Sequence, residues 1–310
     1  LHFGEHKVSF GMEFGKISAE ELQAVDFTLP PDRPATAKIL AAQVRTDKPP
    51  VFVGCAKWGR KDWIGKIYPP GTKEDDFLPL YARNFNSIEL NATFYKIPSV
   101  KQTQEWKSKV GKNFLFVPKI SNSISHIHRL KNVEERLGWF LKGIEGFGEN
   151  LGPVFLMLHP NMGPKSLDTI EAFIQSLPKA IKLFVELRQE AWYSDPEASE
   201  KVFSMLERNG AGAVITDVAG RRDCAHMRLT TPEAFIRFVG NDLHPTDYTR
   251  IDAWVKRIKT WMDAGLQRLY FFLHENEEVH SPVIAWYLIR QLNKYCGTAL
   301  PEPPPEGREV

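Results

Sequence analysis

The chain has 310 residues, of which 43% are hydrophobic and 25% charged, with a net charge of +2 and a pI near 8.3. This composition is ordinary for a globular protein, and the charge balance excludes the strongly basic class of dedicated DNA-binding domains. The three cysteines, Cys55, Cys224 and Cys296, are widely spaced and form no CxxC pair. This spacing argues against a disulfide framework or a structural zinc site and favours a reducing compartment.

The sequence predicts neither a membrane span nor a secretion signal. No apolar run approaches the about 18 residues that a transmembrane helix needs. Residues 1–6 lack the apolar core of a signal peptide. We therefore expect a cytoplasmic protein with no membrane partner.

Residues 1–49 are predicted to form an N-terminal extension packed on the main domain. Ser18 begins a capping-box sequence, Ser-Ala-Glu-Glu, which predicts a short helix. A proline-rich break follows at 29–34, and a second helix is predicted over 35–45.

From residue 50 onward, short apolar runs alternate with amphipathic segments. Eight strands are predicted, at 51–55, 87–90, 114–117, 154–158, 183–186, 213–216, 235–239 and 269–272. Helices are predicted between them at 72–85, 99–110, 132–147, after Ser166, from Asp195, at 250–263 and from Ser281 to about 295. One unit is irregular, because residues 217–234 carry no amphipathic helix and are expected to lie over the strand ends.

Strands that alternate with helices predict parallel βαβ units, and eight such units close a TIM-type (β/α)8 barrel. We therefore predict an α/β protein with one TIM-type barrel domain over residues 50–297. Residues 298–310 are rich in proline and glutamate and are predicted to be a flexible tail. A doubly wound open sheet is the alternative, weakened by the lack of a GxGxxG motif after the first strand.

The carboxyl ends of the predicted strands hold the residues suited to chemistry, because barrel active sites lie there. The central pair is Glu186 and Arg188, at the end of the fifth strand. The candidate catalytic acids and bases are Glu186, Asp217, Glu89 and Lys119. The candidate substrate-binding residues are Arg188, Arg237, Asn91, Tyr95, Trp58 and Asn276.

Lys119, Arg188 and Arg237 would bring three positive charges to one mouth, which is costly unless they are countered. An anionic small molecule or a nucleic acid would counter them, since the arginine fork suits phosphate and carboxylate. The alternative is a closed ion-pair network that plugs the barrel.

No cofactor is clearly implied, and a divalent metal is an open alternative. His159, Glu186, Asp217 and His274 stand at four strand ends and form a conceivable mixed histidine and carboxylate set. Against it, the sequence has no HExxH motif, and a lone histidine at a strand end more often makes a hydrogen bond than ligates a metal.

Several segments resemble the DUF72 (YecE-like) family. The most specific is the Asn91–Tyr95 run after the second strand, and the likeness extends in order from about residue 51 to residue 295. The other matching segments are Val53–Trp58, Phe85–Leu90, Leu151–Pro153, Val185–Arg188 with Trp192, Ile215–Asp217 and Phe235–Phe238. The resemblance implies a TIM-barrel-type fold whose strand-end cleft contains Glu89, Lys119, Glu186, Arg188, Asp217 and Arg237.

The resemblance supplies no reaction, and a distant likeness to endonuclease-IV-type barrels is an analogy of fold alone. The chain also departs from the family pattern at 157–159 and 272–276, where His159 and His274 add two histidines to the rim. These histidines slightly favour the metal alternative.

The sequence therefore predicts an enzyme, a hydrolase that binds a phosphate- or carboxylate-bearing substrate and acts by acid–base or metal-assisted chemistry. The first alternative is a non-catalytic protein that binds a nucleic acid or an anionic metabolite. The second is a structural barrel with a plugged mouth. Carboxylates locked to arginine and lysine would favour binding over catalysis.

Overall fold

The computed structural model describes residues 14–302, in which eight strands all pair in parallel. The strands are β1 Val51–Cys55, β2 Ser87–Leu90, β3 Leu115–Pro118, β4 Val154–Met157, β5 Leu183–Glu186, β6 Gly212–Asp217, β7 Glu233–Val239 and β8 Arg268–His274. They form a six-stranded sheet of order β1-β8-β7-β6-β5-β4 and a two-stranded sheet of β2 and β3.

Helices separate most of these strands, as the alternation predicts. They are α1 Ala19–Leu22, α2 Pro34–Ala41, α3 Phe77–Asn84, α4 Ala92–Tyr95, α5 Val100–Ser108, α6 Glu134–Glu145, α7 Leu167–Ser176, α8 Ala191–Ser194, α9 Pro196–Arg208, α10 Pro245–Ala264 and α11 Ser281–Cys296. Between β6 and β7 the chain forms only the short 3-10 turn Arg222–Cys224, which confirms the irregular unit. No helix within residues 14–302 is long and apolar enough to cross a bilayer.

The six-stranded sheet curls around an inner aromatic layer. Phe155 of β4 lies 5.5 Å from Phe235 of β7, ring centre to ring centre, although two strands separate them in the sheet. Phe184 of β5 and Tyr270 of β8 join the same cluster, and Val117 of β3 packs against it. These contacts are across the sheet, so the sheet is bent into a half barrel.

The prediction of a complete (β/α)8 ladder is met only in part. Regular pairing stops between β3 and β4, where only the bridges Phe116 to Leu151 and Lys119 to Phe155 remain. Between β1 and β2, the Asn86 side chain replaces regular strand pairing. Its amide oxygen accepts from the Val53 N–H, and its amide nitrogen donates to the Val51 carbonyl of β1. The parallel α/β class is confirmed, and the two sheets are joined by isolated bridges instead of a regular ladder.

Gly54 lets β1 approach β2 closely where the regular pairing of these two strands is interrupted. A Cβ atom at this position would stand 1.9 Å from the Ser87 carbonyl oxygen and 2.9 Å from the Tyr81 hydroxyl. We expect Gly54→Ala to destabilise the fold by about 1–3 kcal/mol or more, since overpacked backbone must move. Gly59→Ala is the control, because nothing lies within 4 Å of its Cβ position. Urea unfolding of both variants checks the difference, and equal stabilities would contradict it.

The N-terminal segment reaches the carboxyl ends of the strands. The predicted capping box forms, with Ser18 and Glu21 each bonded to the other's backbone N–H. Just before it, the Gly15 carbonyl accepts a hydrogen bond of 2.8 Å from Gly220 in the irregular unit, and the Phe14 ring stacks on Arg188. The first 13 residues of the predicted extension lie outside the described residues.

The chain after α11 is held to that helix as far as the structure describes it. The Leu300 side chain is buried in the main hydrophobic core. Its backbone N–H donates to the Asn293 side-chain oxygen, and its carbonyl accepts from the Asn293 side-chain nitrogen. Residues 303–310 of the predicted tail lie outside the described residues.

Candidate functional site

At the carboxyl ends of the strands, a second layer of side chains, charged and polar, faces the interior above the aromatic layer. Alternate residues of a strand face the same side of a sheet, so the side chains two positions beyond Phe184, Phe235 and Phe272 face the same interior. Those side chains are Glu186, Arg237 and His274. Buried polar side chains from β2 and from the end of β3 complete the layer, namely Glu89 and Lys119.

Arg237 is the centre of the ion-pair network. Its Nε and Nη2 donate to the two oxygens of Glu89 at 2.7 and 2.9 Å, and its Nη1 donates to Glu186 at 2.9 Å. All three side chains are nearly fully buried. Burial acts to raise the pKa of Glu89, but the charges of Arg237 and His274 outweigh it and hold that pKa well below its usual range.

Glu186 is held from three sides. Its Oε1 also accepts from the Thr216 hydroxyl at 2.6 Å, and its Oε2 accepts from Arg188 Nη2 at 2.9 Å. Burial acts to raise its pKa, but the charges of Arg188, Arg237 and Lys119 together lower it to about 2. Glu186 is therefore an ionised acceptor at neutral pH.

His274 bridges two carboxylates. Its Nε2 lies 3.2 Å from Glu89 Oε2, and its Nδ1 lies 3.4 Å from Glu278 Oε1. Burial acts to lower the pKa of His274, but the Glu89 charge outweighs it and the pKa is raised. Nε2 also lies 3.1 Å from the Arg237 Nη2 donor, so both ring nitrogens are engaged by protein groups and neither is left open for a metal.

Lys119 differs from the other cations of this layer. Its Nζ lies 4.7 Å from the Phe94 ring centre and 5.2 Å from that of Phe155, and no carboxylate within residues 14–302 forms an ion pair with it. Burial is the largest cause that lowers its pKa, the Arg237 charge adds to it, and the result is about 7. A buried amine whose pKa is lowered toward neutrality is suited to proton transfer near pH 7.

Asp217 is not brought to this layer. Its neighbour Thr216 faces inward, so Asp217 faces the opposite side of β6. There it accepts from Arg250 Nη2 at 2.9 Å and from Trp254 Nε1 at 2.7 Å, both on α10, and pairs with Arg222. Burial acts to raise its pKa, but the two arginine charges lower it.

The predicted four-residue metal set is not assembled. Asp217 lies behind the sheet, and both nitrogens of His274 face carboxylates. His159 Nδ1 accepts from the Asn161 backbone at 3.0 Å, and its ring packs at an angle against His126. Within residues 14–302, no group of three or more histidine, cysteine, aspartate or glutamate side chains is arranged to hold a metal.

The predicted substrate-binding residues divide into two groups. Asn91 donates to Glu89 at 3.1 Å, and Asn276 lines a small cavity beside the ion-pair network. Trp58 instead packs edge-on against Trp106 of α5, outside the inward layer. Tyr95 is 62% exposed and contacts its neighbour Phe94.

A cavity of about 30 Å³ lies beside the ion-pair network. It is lined by Phe14, Arg188, Thr216, Arg237, Val239, His274, Glu275, Asn276 and Glu278. The Phe14 ring centre stands 3.8 Å from the Arg188 guanidinium carbon and covers that side. The sequence did not indicate Phe14, Thr216 and Glu278 as members of this site, although the two-residue period of β6 points to Thr216.

The chain matches the model of a known protein family. The family model described as "Protein of unknown function DUF72" matches residues 52–308. The chain belongs to the DUF72 family. This confirms the resemblance inferred from the Asn91–Tyr95 run and the strand-end segments.

Among relatives of this DUF72 chain is the UPF0759 protein YecE of Escherichia coli. It is 25% identical over 262 residues, which cover 79% of the chain and 93% of YecE. The UPF0759 protein YunF of Bacillus subtilis is 32% identical over 69 residues, covering 22% of the chain and 23% of YunF. Their names state no activity.

Two solved DUF72 structures show the same fold. One, from Enterococcus faecalis, superposes with a TM-score of 0.63 at 16% identity and covers 82% of this chain and 100% of that one. The other, from Thermotoga maritima, gives a TM-score of 0.61 at 23% identity, with 80% and 100% coverage. At these identities the likeness concerns the fold alone.

Proposed function

We propose that this DUF72 protein is an enzyme that transfers a proton on a small anionic substrate, with Lys119 as the general base. The observation that carries this proposal is the buried Lys119 amine, which faces inward at a strand end and has no ion-pair partner within residues 14–302. General bases work best when their pKa lies near the operating pH, and that of Lys119 is about 7.

In this proposal Glu89, Glu186 and Arg237 hold the geometry of the site and do not transfer protons. Each carboxylate accepts at least two short hydrogen bonds from buried donors. A carboxylate so stabilised is a weak base, because protonation would give up those charge-assisted bonds. The acid–base role assigned to Glu186 from sequence therefore passes to Lys119.

Arg188 is proposed as the anchor for the anionic group. Its Nη2 is engaged with Glu186 and the Met157 sulfur, whereas its Nε is buried without a hydrogen-bond partner in the described part of the chain. An arginine with unused donors suits a carboxylate or phosphate. Hydrolysis of a phosphate- or carboxylate-bearing substrate remains within this proposal, with Lys119 activating the water.

The proposal also includes the completed barrel and the division of the chain. We infer that residues 50–297 form one barrel domain, with residues 1–49 as an extension and 298–310 as a tail. Two bridges across the seam between β3 and β4 support closure. So does the packing of β3 on the inner aromatic layer.

A non-catalytic anion-binding protein is the second candidate. It is favoured by the network itself, since both buried carboxylates of the inward layer are tied to arginine. In this candidate the site binds an anion without catalysing a reaction, and Lys119 contributes only a positive charge. The nucleic-acid version of this candidate additionally requires affinity that falls steeply with salt.

Proton transfer can be tested before the substrate is known. We expect wild-type protein in D₂O to exchange carbon-bound protons of one or more members of a panel of small carboxylates, keto acids and phosphate esters, measured by proton NMR. Lys119→Met should lower the exchange rate by about 100-fold or more, the usual contribution of a general base. Lys112→Met, at an exposed lysine, should leave it unchanged.

Two outcomes would count against catalysis by Lys119. Exchange that survives in Lys119→Met assigns the proton transfer to another group. Binding of a panel member without exchange or turnover supports the anion-binding candidate.

A further inference from the structure

Two buried polar atoms at the small cavity have no hydrogen-bond partner among residues 14–302. They are Nε of Arg188 and Oε1 of Glu275, and both residues line the cavity and are at most 4% exposed. Unpartnered buried polar atoms are rare, and each calls for a ligand or a water. Two such atoms from different strand ends at one cavity indicate a built binding position.

We propose that this cavity is the subsite for a carboxylate group of the substrate, and that Glu275 binds it as a neutral carboxylic acid. The identification of the ligand as a substrate rests on the proposed function. The binding of a carboxylate there does not depend on the role of Lys119.

The surroundings of Glu275 place its proton on Oε1. Oε2 accepts the Asp242 backbone N–H at 2.7 Å, so Oε1 is the oxygen left to donate. Both oxygens also lie against Gly240, at 2.3 and 2.4 Å from the position of an added Cβ. Burial is the largest cause that raises the pKa of Glu275, the Asp247 charge adds to it, and the pKa reaches about 8.

Charged groups face Glu275 from every neighbouring element. The negative groups near it are Asp247 on α10, Asp242 in the loop before α10, and Glu278 in the turn before α11. The positive groups are Arg250 on α10, Arg188 after β5, Arg237 on β7 and His274 on β8. The negative groups favour the neutral acid, and the cavity itself is lined by Arg188, Arg237 and His274 together with Glu278.

The two unpartnered atoms are then both donors, and one of them belongs to the guanidinium of Arg188. A ligand that fills the cavity must therefore present acceptor oxygens, and the nearby cations favour an anion. A neutral acid is needed on the Glu275 side, because an ionised Glu275 would repel the ligand. A protonated carboxyl that donates to an anion is an established use of a raised pKa.

The size of the cavity selects a carboxylate over a phosphate. One water needs about 10–15 Å³ of such space, so the observed volume of about 30 Å³ takes two oxygen-sized groups. A carboxylate presents two oxygens, whereas a phosphate ester presents three. The Phe14 ring over Arg188 covers one side of the cavity and limits the space for a third oxygen.

Acetate tests the proposal directly. We expect acetate to raise the melting temperature of the wild type in a saturable way at pH 6.5 and constant ionic strength, with an NMR titration giving the dissociation constant. Glu275→Leu should weaken binding by about 10- to 100-fold, the effect of losing a hydrogen bond to a charged group. Glu275→Gln keeps a neutral donor at the same place and should bind within about threefold of the wild type. Glu277→Gln, at an exposed neighbour, is the control.

The pH profile separates Glu275 from the other titrating groups. Wild-type affinity should fall as pH rises through about 8, because Glu275 ionises and repels acetate. His274 and Lys119 also lose charge as pH rises, so some decline should remain in Glu275→Gln. The wild type should decline about tenfold more than this variant between pH 6.5 and 9.5, the discrimination expected per ionised neighbour at short range.

The Phe14→Ala variant tests the carboxylate assignment. Methyl phosphate should not compete with acetate in the wild type and should compete after Phe14→Ala, because the covered side is then open. Competition by methyl phosphate in the wild type would overturn the choice of carboxylate. Equal losses in Glu275→Gln and Glu275→Leu, or no saturable acetate binding, would overturn the proposal. Lys119→Met should retain acetate binding in either case, so a failure of the proposed function appears in the proton-exchange assay alone.

Discussion

Arg237→Gln should destabilise the protein by about 3–5 kcal/mol at pH 7, the usual result of removing one partner of a buried ion pair. The substitution leaves Glu89 and Glu186 buried, and both lose their donors from the centre of the network. Glu186 keeps Arg188 and Thr216, so Glu89 bears most of the cost. Urea unfolding at pH 7 measures the change in the free energy of unfolding.

The cost should depend on pH with a defined sign. In the wild type, the pKa of each glutamate is lowered in the folded state, that of Glu186 to about 2. Their ion pairs therefore stabilise the fold above the unfolded pKa of about 4.3, and this contribution is lost as pH falls through the folded pKa. In Arg237→Gln the buried acids become easier to protonate, so the difference between the proteins should shrink from pH 7 to pH 3.

An exposed pair with the same geometry provides the control. Arg208 donates to both oxygens of Glu171 at 3.0 and 2.7 Å, and its side chain is 54% exposed. Arg208→Gln should cost at most about 1 kcal/mol, as surface pairs do. Similar costs for the two substitutions would show that burial does not set the energy of the Arg237 network.

Lys119→Met should stabilise the fold while it removes the proposed base. The amine is buried between two aromatic rings without an ion pair in the described part of the chain, so its charge is unfavourable there. We expect a gain of about 1–3 kcal/mol at pH 6, in the range of other buried polar groups that lack a hydrogen-bond partner. A gain in stability with loss of activity is typical of a functional residue that the fold does not need.

This gain also has a defined pH dependence. The folded pKa of Lys119, about 7, lies below the unfolded value of about 10.4. The wild type therefore gains stability from this group as pH rises from 7 toward 10, because the amine releases its proton on folding and this release costs less as the pH approaches the unfolded pKa. The advantage of Lys119→Met should be largest below pH 7 and small at pH 10. Lys112→Met should change stability little at either pH, and a loss of stability in Lys119→Met would contradict the assignment.

The sequence by itself determined the order and direction of the secondary structure. Apolar runs of about five residues separated by capped helices admit little besides parallel βαβ units, and strands such as Val51–Cys55 appear where the pattern placed them. The family likewise followed from local segments. These features depend on periodicity and on neighbours in the chain, so they are legible without the tertiary structure.

The tertiary structure decided which strand-end residues meet. Asp217 and Glu186 both end strands, yet Asp217 faces α10 and Glu186 faces the interior, because a shift of one residue reverses the side of the sheet. The sequence marked the acid at the end of β6 and missed Thr216 beside it. The alternation of side chains along a strand shows which side of the sheet a residue faces only once the register of that strand is known.

The state of each charge was likewise decided by folding. Glu186, Lys119 and Glu275 all stand near strand ends, and their pKa values are about 2, 7 and 8. The difference comes from partners distant in the chain, such as Arg237 for Glu186 and Asp247 for Glu275. The sequence supplied a set of charged residues at one rim. Burial and distance, which only the tertiary structure fixes, determined the direction in which the pKa of each group is shifted.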